Sequence, residues 1–123
     1  MAQYERSLDK PLDQLTRATL LETVKYEHSA SLSAWNLLGK RWTFLILTQL
    51  FASSQSFHEL VKLTEGISEK VLAERLKELE RVGLIRRQTY SGCHFRVRYY
   101  LTAKGEALEP VIKAIGNWSQ LLS

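Results

Sequence analysis

Residues 56–83 read SFHELVKLTEGISEKVLAERLKELERVG, and this stretch decides the fold. Ser56 stands where a helix N-cap belongs, and Phe57, Leu60 and Val61 then share one face of a short helix over 57–63. Thr64-Glu65-Gly66 makes a tight turn, with a glycine free to take positive φ. Ser68 caps a longer helix that reaches Val82, where Gly83 stops it. At about 100° per residue, Leu72, Leu76 and Leu79 form one stripe, flanked by Val71 and Val82. Lys70, Ala73, Glu74, Lys77 and Arg81 fall on the opposite arc. Arg75 lands inside the apolar arc, where it either runs along the helix edge to a phosphate or pairs with an acid on a neighbouring helix. Helix, glycine turn, helix is the helix-turn-helix pattern, which many helical proteins contain.

The residues after Gly83 make the pattern more specific. Leu84 to Tyr90 is one strand, Ser91-Gly92 a turn, and Phe95 to Leu101 a second strand. In the second arm Phe95, Val97, Tyr99 and Leu101 alternate with Arg96, Arg98 and Tyr100. The hairpin therefore has an apolar inward face and an arginine-bearing outward face. A hairpin directly after a helix-turn-helix is a wing, and the conjunction is far more specific than either part. Thr102 caps a final helix carrying Leu108, Val111, Ile112, Ile115 and Trp118, with a kink or late start expected at Pro110. Upstream, the apolar run Trp42 to Phe51 reads as a buried helix on its ten-residue length. Before it, a helix over Ser31 to Leu38 ends at Gly39, and Pro11 suits the first turn of a helix bearing Leu12, Leu15, Leu20, Leu21 and Val24. The expected fold is mainly α with a small β-hairpin, a winged helix-turn-helix flanked by N- and C-terminal dimerisation helices.

Composition agrees and excludes several classes. At 123 residues, 45% hydrophobic and 24% charged, the chain is one ordinary globular domain rather than a disordered one. No apolar run is long enough for a membrane span, and the single cysteine, Cys93, excludes an internal disulfide. A reducing, cytoplasmic setting is the expectation. His28, His58 and His94 are scattered, and no glycine-rich phosphate loop occurs. Neither an enzyme nor a metal or cofactor site is expected. The net charge of +4 is unevenly spread: residues 66–104 hold nine bases against four acids, and Ile85 to Gly105 holds no acid at all. Such segregation is the footprint of a polyanion-binding face, with a merely solvated face as the bland alternative.

Several segments together resemble the HxlR-type winged helix-turn-helix transcriptional regulators of bacteria and archaea. Leu37-Leu38-Gly39-Lys40-Arg41-Trp42-Thr43 resembles that family's Gly-Gly-Lys-Trp segment, and Ile67 to Glu80 resembles its recognition helix. Gly83-Leu84-Ile85-Arg86-Arg87 and Tyr99-Tyr100-Leu101-Thr102-Ala103-Lys104-Gly105 match its strand and the entry to its last helix. The likeness runs over about residues 29–119 without gaps, leaving 1–28 as an N-terminal extension and dimer arm ahead of a domain over 29–123. Two positions depart from the family. Ser29 stands where many members carry a cysteine that in some senses oxidants or electrophiles, chemistry a hydroxyl cannot do. The wing tip reads Cys93-His94-Phe95 in place of Val-Pro-Pro.

The resemblance implies a DNA-binding homodimer, a repressor on a near-palindromic operator. Ser68 and Lys70 would meet phosphate or base edges, unless Ser68 serves only as a cap, with Arg75 and Lys77 on the backbone. Arg96 and Arg98 on the wing would track flanking DNA, and Leu12, Leu15, Val111, Ile115 and Trp118 would form the dimer interface. Cys93 is a candidate redox switch beside Arg96. The rival readings are a winged helix that binds protein instead of DNA, and a MarR-like regulator answering to a small molecule.

Overall fold

The computed structural model describes residues 11–26, 34–90 and 96–122. Helix α1 spans Gln14–Tyr26, and residues 34–38 are helical. Helix α2 (Thr43–Ala52) leads through the two-residue strand β1 (Gln55–Ser56) into α3 (Phe57–Leu63) and α4 (Glu69–Arg81). Strands β2 (Ile85–Tyr90) and β3 (Arg96–Leu101) come next, then α5 (Ala103–Glu106), α6 (Glu109–Ser119) and a 3-10 turn over Gln120–Leu122. This is the expected winged helix-turn-helix, mostly helical with one small antiparallel sheet.

The core forms where the apolar stripes of three helices meet the root of the wing. Ile46, Leu47 and Leu50 come from α2, Leu60 from α3, and Leu72, Leu76 and Leu79 from α4, closed by Ile67, Leu84 and Ile85. All ten are buried, so the stripe read from the sequence is the face that packs. Leucine at every core position of α4 combines high helix propensity with burial.

Caps define the helix-turn-helix. At α3 the Ser56 hydroxyl accepts from the Glu59 N–H at 3.1 Å, and the Glu59 carboxylate accepts from the Ser56 N–H at 2.7 Å, a capping box. The Ser68 hydroxyl accepts from the Val71 N–H at 3.1 Å at the start of α4. Its far end closes on Gly83, whose φ of +83° lets the Leu84 N–H reach the Leu79 carbonyl. Thr102 joins the two ends of the wing to this closure, donating to the Gly83 carbonyl at 2.6 Å while capping α5 through the Gly105 N–H.

Three elements differ from the expectation. The hairpin is the larger part of a three-stranded sheet in the order β1-β3-β2, with Gln55 opposite Tyr99 and Ser56 opposite Arg98. Two residues are too few to show a period, so β1 leaves no signal in the sequence. The last helix is broken rather than continuous, and its second part takes the late start expected at Pro110: α5 ends before Ala107, and α6 begins with Pro110 in its first turn, where its missing N–H costs nothing. Pro11 lies before α1 instead of inside it, because Asp13 takes the N-cap role and accepts from the Thr16 N–H at 2.7 Å. Among the described non-glycine residues one is strained. Trp42, just before α2, has φ +81°, a left-handed conformation that costs a bulky residue about 1–2 kcal/mol.

Candidate nucleic-acid interface

Helix α4 divides cleanly between its two faces. While Leu72, Leu76 and Leu79 are buried, Ser68, Lys70, Glu74, Lys77, Glu80 and Arg81 lie toward the outside. Lys70 and Lys77 lie seven residues apart, about 10 Å along the axis, on the same side. Among the described residues neither has a carboxylate partner within ion-pair distance. Ser68 caps through its hydroxyl and is still exposed, so the first turn of α4 offers both free backbone N–H groups and a nearby ammonium.

Not every basic side chain is free for a ligand. Arg98 was expected to face outward, yet its guanidinium is turned onto the body of the domain. Nε donates to the Ser54 hydroxyl at 3.0 Å, Nη2 to the Ser54 carbonyl at 2.6 Å, and Nη1 lies 3.1 Å from the Glu59 carboxylate. The physical reason is β1, which places Ser54 and Ser56 beside Arg98 and gives it partners a lone hairpin lacks. Arg75 pairs with no acid among the described residues: its Nε donates to the Arg41 carbonyl at 3.0 Å. Lys40 pairs with Glu78, and Lys104 donates to the Val82 carbonyl at 2.8 Å, closing the negative end of α4.

Two other arginines are exposed on the wing, Arg86 on the outward Tyr100 face and Arg87 on the Tyr99 face. Strand β2, which bears both arginines, carries no acid. The acid-free window from Ile85 to Gly105 contains them, so the signal is present in the sequence. The period of the second arm is clearer and points to Arg96 and Arg98 instead. Strand β3 presents Arg96 within the described backbone, while Cys93 and the rest of the wing tip lie outside the described residues.

Among the described residues two carboxylates are held low: the Thr16 N–H and hydroxyl hold the helix-capping Asp13 below its ordinary range. The N–H of Ser56, then its hydroxyl, and beyond them the Arg98 guanidinium hold Glu59 below the ordinary carboxylate range. The group serves the cap and the wing rather than a reaction.

The terminal elements leave apolar surface bare. Helix α6 has no fully buried residue. Ile112 packs on the core, while Val111, Ile115 and Trp118 form an outward stripe at i, i+4, i+7. Trp118 is 53% exposed and Leu15 on α1 78% exposed, with Leu12 also open. Leu121 and Leu122 extend the stripe beyond the helix, Leu122 at the next helical position after Trp118. No described helix is long and apolar enough to cross a membrane.

Comparison with known proteins accounts for this arrangement. The HxlR-like helix-turn-helix family model matches residues 37–122. The HTH-type transcriptional regulator YodB of Bacillus subtilis is 42% identical over 87 residues, covering 71% of this chain and 78% of that protein. The solved reduced form of YodB superposes with a TM-score of 0.69 at 41% identity, over 73% of this chain and 88% of that one. YvaP, an uncharacterised HTH-type transcriptional regulator of the same organism, is 42% identical over 86 residues, 70% of this chain and 80% of its own. A MarR-family regulator structure from Enterococcus faecalis matches more of the chain, 94% of each, with a TM-score of 0.66 at 26% identity. These are transcriptional regulators and not enzymes. With its helix-turn-helix and wing inside the matched residues 37–122, the chain belongs to the HxlR-like helix-turn-helix family.

Proposed function

We propose that this protein is a transcriptional repressor that binds duplex DNA as a homodimer, on a near-palindromic operator. The observation that carries the reading is the division of α4, with leucines buried and Lys70 and Lys77 exposed without acidic partners among the described residues. The N-terminal half of α4 enters the major groove, where Ser68 and Lys70 meet base edges and phosphate. Lys77 and the wing arginines Arg86 and Arg96, which share one face of the sheet, neutralise flanking phosphates. Arg75 and Arg98, bonded within the protein, support these elements from behind.

The bare stripe Val111, Ile115 and Trp118, with Leu12 and Leu15, is the interface with a second copy. Two-fold pairing sets two recognition helices one turn of DNA apart, about 34–36 Å. Bound there, the dimer excludes other proteins from the site, so loss of the protein raises transcription of the adjoining gene. Selection of bound duplexes from a random pool tests the reading. Enrichment of a two-fold related motif whose affinity falls steeply with salt supports it. A winged helix used for protein contact alone enriches nothing.

A second reading, control by a small molecule, is favoured by one feature. A half-open cleft of about 700 Å³ lies between residues 34–38, the end of α4 and the start of α6. Leu37, Leu38, Val82, Leu84 and Leu108 line it, together with Glu78, whose Oε1 is buried without a hydrogen-bond partner among the described residues. Fluorescence of anilinonaphthalene sulfonate that Leu108→Trp abolishes supports a ligand there. Unchanged dye binding in that variant opposes it.

A further inference from the structure

We propose that Lys40, Arg41 and Trp42 form a latch that sets the position of the recognition helix, and that Arg75 is a positioning residue rather than a phosphate contact. The inference rests on the proposed DNA-reading role of α4, and it assigns a role to the one strained side-chain-bearing position among the described residues.

Three independent contacts converge on these residues. The Arg75 Nε donates to the Arg41 carbonyl at 3.0 Å. One turn further along α4, Glu78 pairs with the Lys40 ammonium. The Trp42 indole lies over the helix-turn-helix turn itself, since a Cβ at Gly66 would stand 3.3 Å from its Cη2. The loop thus touches α4 twice and the turn before α4 once. It also runs straight into α2, whose Ile46, Leu47 and Leu50 are core.

The left-handed backbone at Trp42 is what makes this geometry. The carbonyl of Arg41 belongs to the peptide plane that φ of Trp42 rotates. At φ +81° this carbonyl meets Arg75, and an ordinary negative φ turns the plane, and the acceptor with it, elsewhere. A strained conformation of this kind persists only where its surroundings over-determine it. Here they include the Arg41 guanidinium, whose Cζ sits 4.6 Å above the indole centroid, in addition to the contacts with Arg75, Glu78 and Gly66. The latch therefore transmits the position of α2 and the core to the helix that reads DNA.

Bond counting separates positioning from charge. In glutamine the amide nitrogen is attached to Cδ, as Nε is in arginine, so Arg75→Gln keeps a donor in place and removes the charge. Arg75→Lys keeps the charge and moves the donor one bond further out. Binding is measured over a salt series to a duplex enriched from a random pool by the wild-type chain. Arg75→Gln is expected to stay within about threefold of wild type with an unchanged salt slope. Arg75→Lys and Arg75→Ala are expected to lose about tenfold or more, the scale of one lost base contact. The reverse order, with the slope of Arg75→Gln reduced by about 0.9, makes Arg75 a phosphate contact and overturns the proposal. Equal behaviour of the Gln and Lys variants overturns it as well.

A second readout needs no DNA. The Trp42 indole N–H resonance, identified as the one missing from Trp42→Phe, is expected to shift in Arg75→Ala and to stay in place in Arg75→Gln. An unmoved resonance in Arg75→Ala removes the latch even where DNA binding holds. A wild-type chain that enriches no duplex removes the DNA reading, and the resonance then decides the latch alone.

Discussion

At Gly105 a Cβ would stand 2.2 Å from the Leu84 carbonyl oxygen, closer than any side chain tolerates. The backbones of α5 and the start of the wing touch there, so the position admits only glycine for packing rather than for φ. Gly105→Ala is expected to destabilise the fold by about 2–3 kcal/mol, the range of overpacked cores, read as a lower denaturant midpoint. Thr43 shows the opposite case. Its hydroxyl is fully buried and has no hydrogen-bond partner among the described residues, so it bears a desolvation cost with no return. Thr43→Val keeps the shape and removes the hydroxyl, and a stabilisation of about 1 kcal/mol is expected in the same titration. Glu59 adds a pH dependence of known sign. Its carboxylate is held below the ordinary range by the Ser56 N–H and hydroxyl and by Arg98. A depressed folded value means a contribution present above the unfolded value of about 4.3 and lost as pH falls through the folded one. The acid limb of the stability profile is therefore expected to flatten in Glu59→Gln, measured by thermal melts from about pH 6 to about pH 3.

Among the elements, α4 was the most legible and the sheet the least. Leucines at 72, 76 and 79, Ser68 before them and Gly83 after them all point to the same helix, and each does what its type suggests. Removing the cap by Ser68→Ala is expected to cost about 1 kcal/mol of stability. The partners of Arg75 and Arg98 were not legible, for a physical reason shared by both. A helical or strand period says which face a residue takes, not what lies opposite. Arg75 meets a backbone carbonyl 34 positions away, and Arg98 meets Ser54 44 positions away through a strand too short to announce itself. The consequence is a reassignment at the level of β3. Arg98→Ala is expected to lower stability by about 1–3 kcal/mol in the absence of DNA, because it leaves β1 and the capping box of α3 without their charged partner. Lys70→Ala leaves stability within about 0.5 kcal/mol of wild type, as surface substitutions do.

In the whole molecule, uneven charge and bare apolar surface fall in different places. Lys70, Lys77, Arg86 and Arg87 give the helix-turn-helix and wing exposed bases, while α6 presents Val111, Ile115 and Trp118, which its own core does not cover. The division was readable in outline, since the bases cluster between residues 66 and 104 and the large apolar residues at the C-terminal end keep a helical spacing. The sequence favours an interface over a core for these residues, because the winged core already has helices enough to cover itself. The break between α5 and α6 leaves Ile112 of α6 packed on the core and the opposite stripe exposed, which is what the proposed interface needs. Trp118→Glu is expected to convert a dimer to a monomer by sedimentation, with far-UV circular dichroism unchanged. A wild-type chain that already sediments as a monomer at micromolar concentration contradicts the interface. The most direct test of the central claim is selection of bound duplex DNA from a random pool. The expected product is a two-fold related motif with half-site centres about 34–36 Å apart. Its affinity is expected to have a salt slope that falls by about 0.9 in Lys70→Ala and again in Lys77→Ala. A pool that shows no enriched motif, or binding indifferent to salt, contradicts the account.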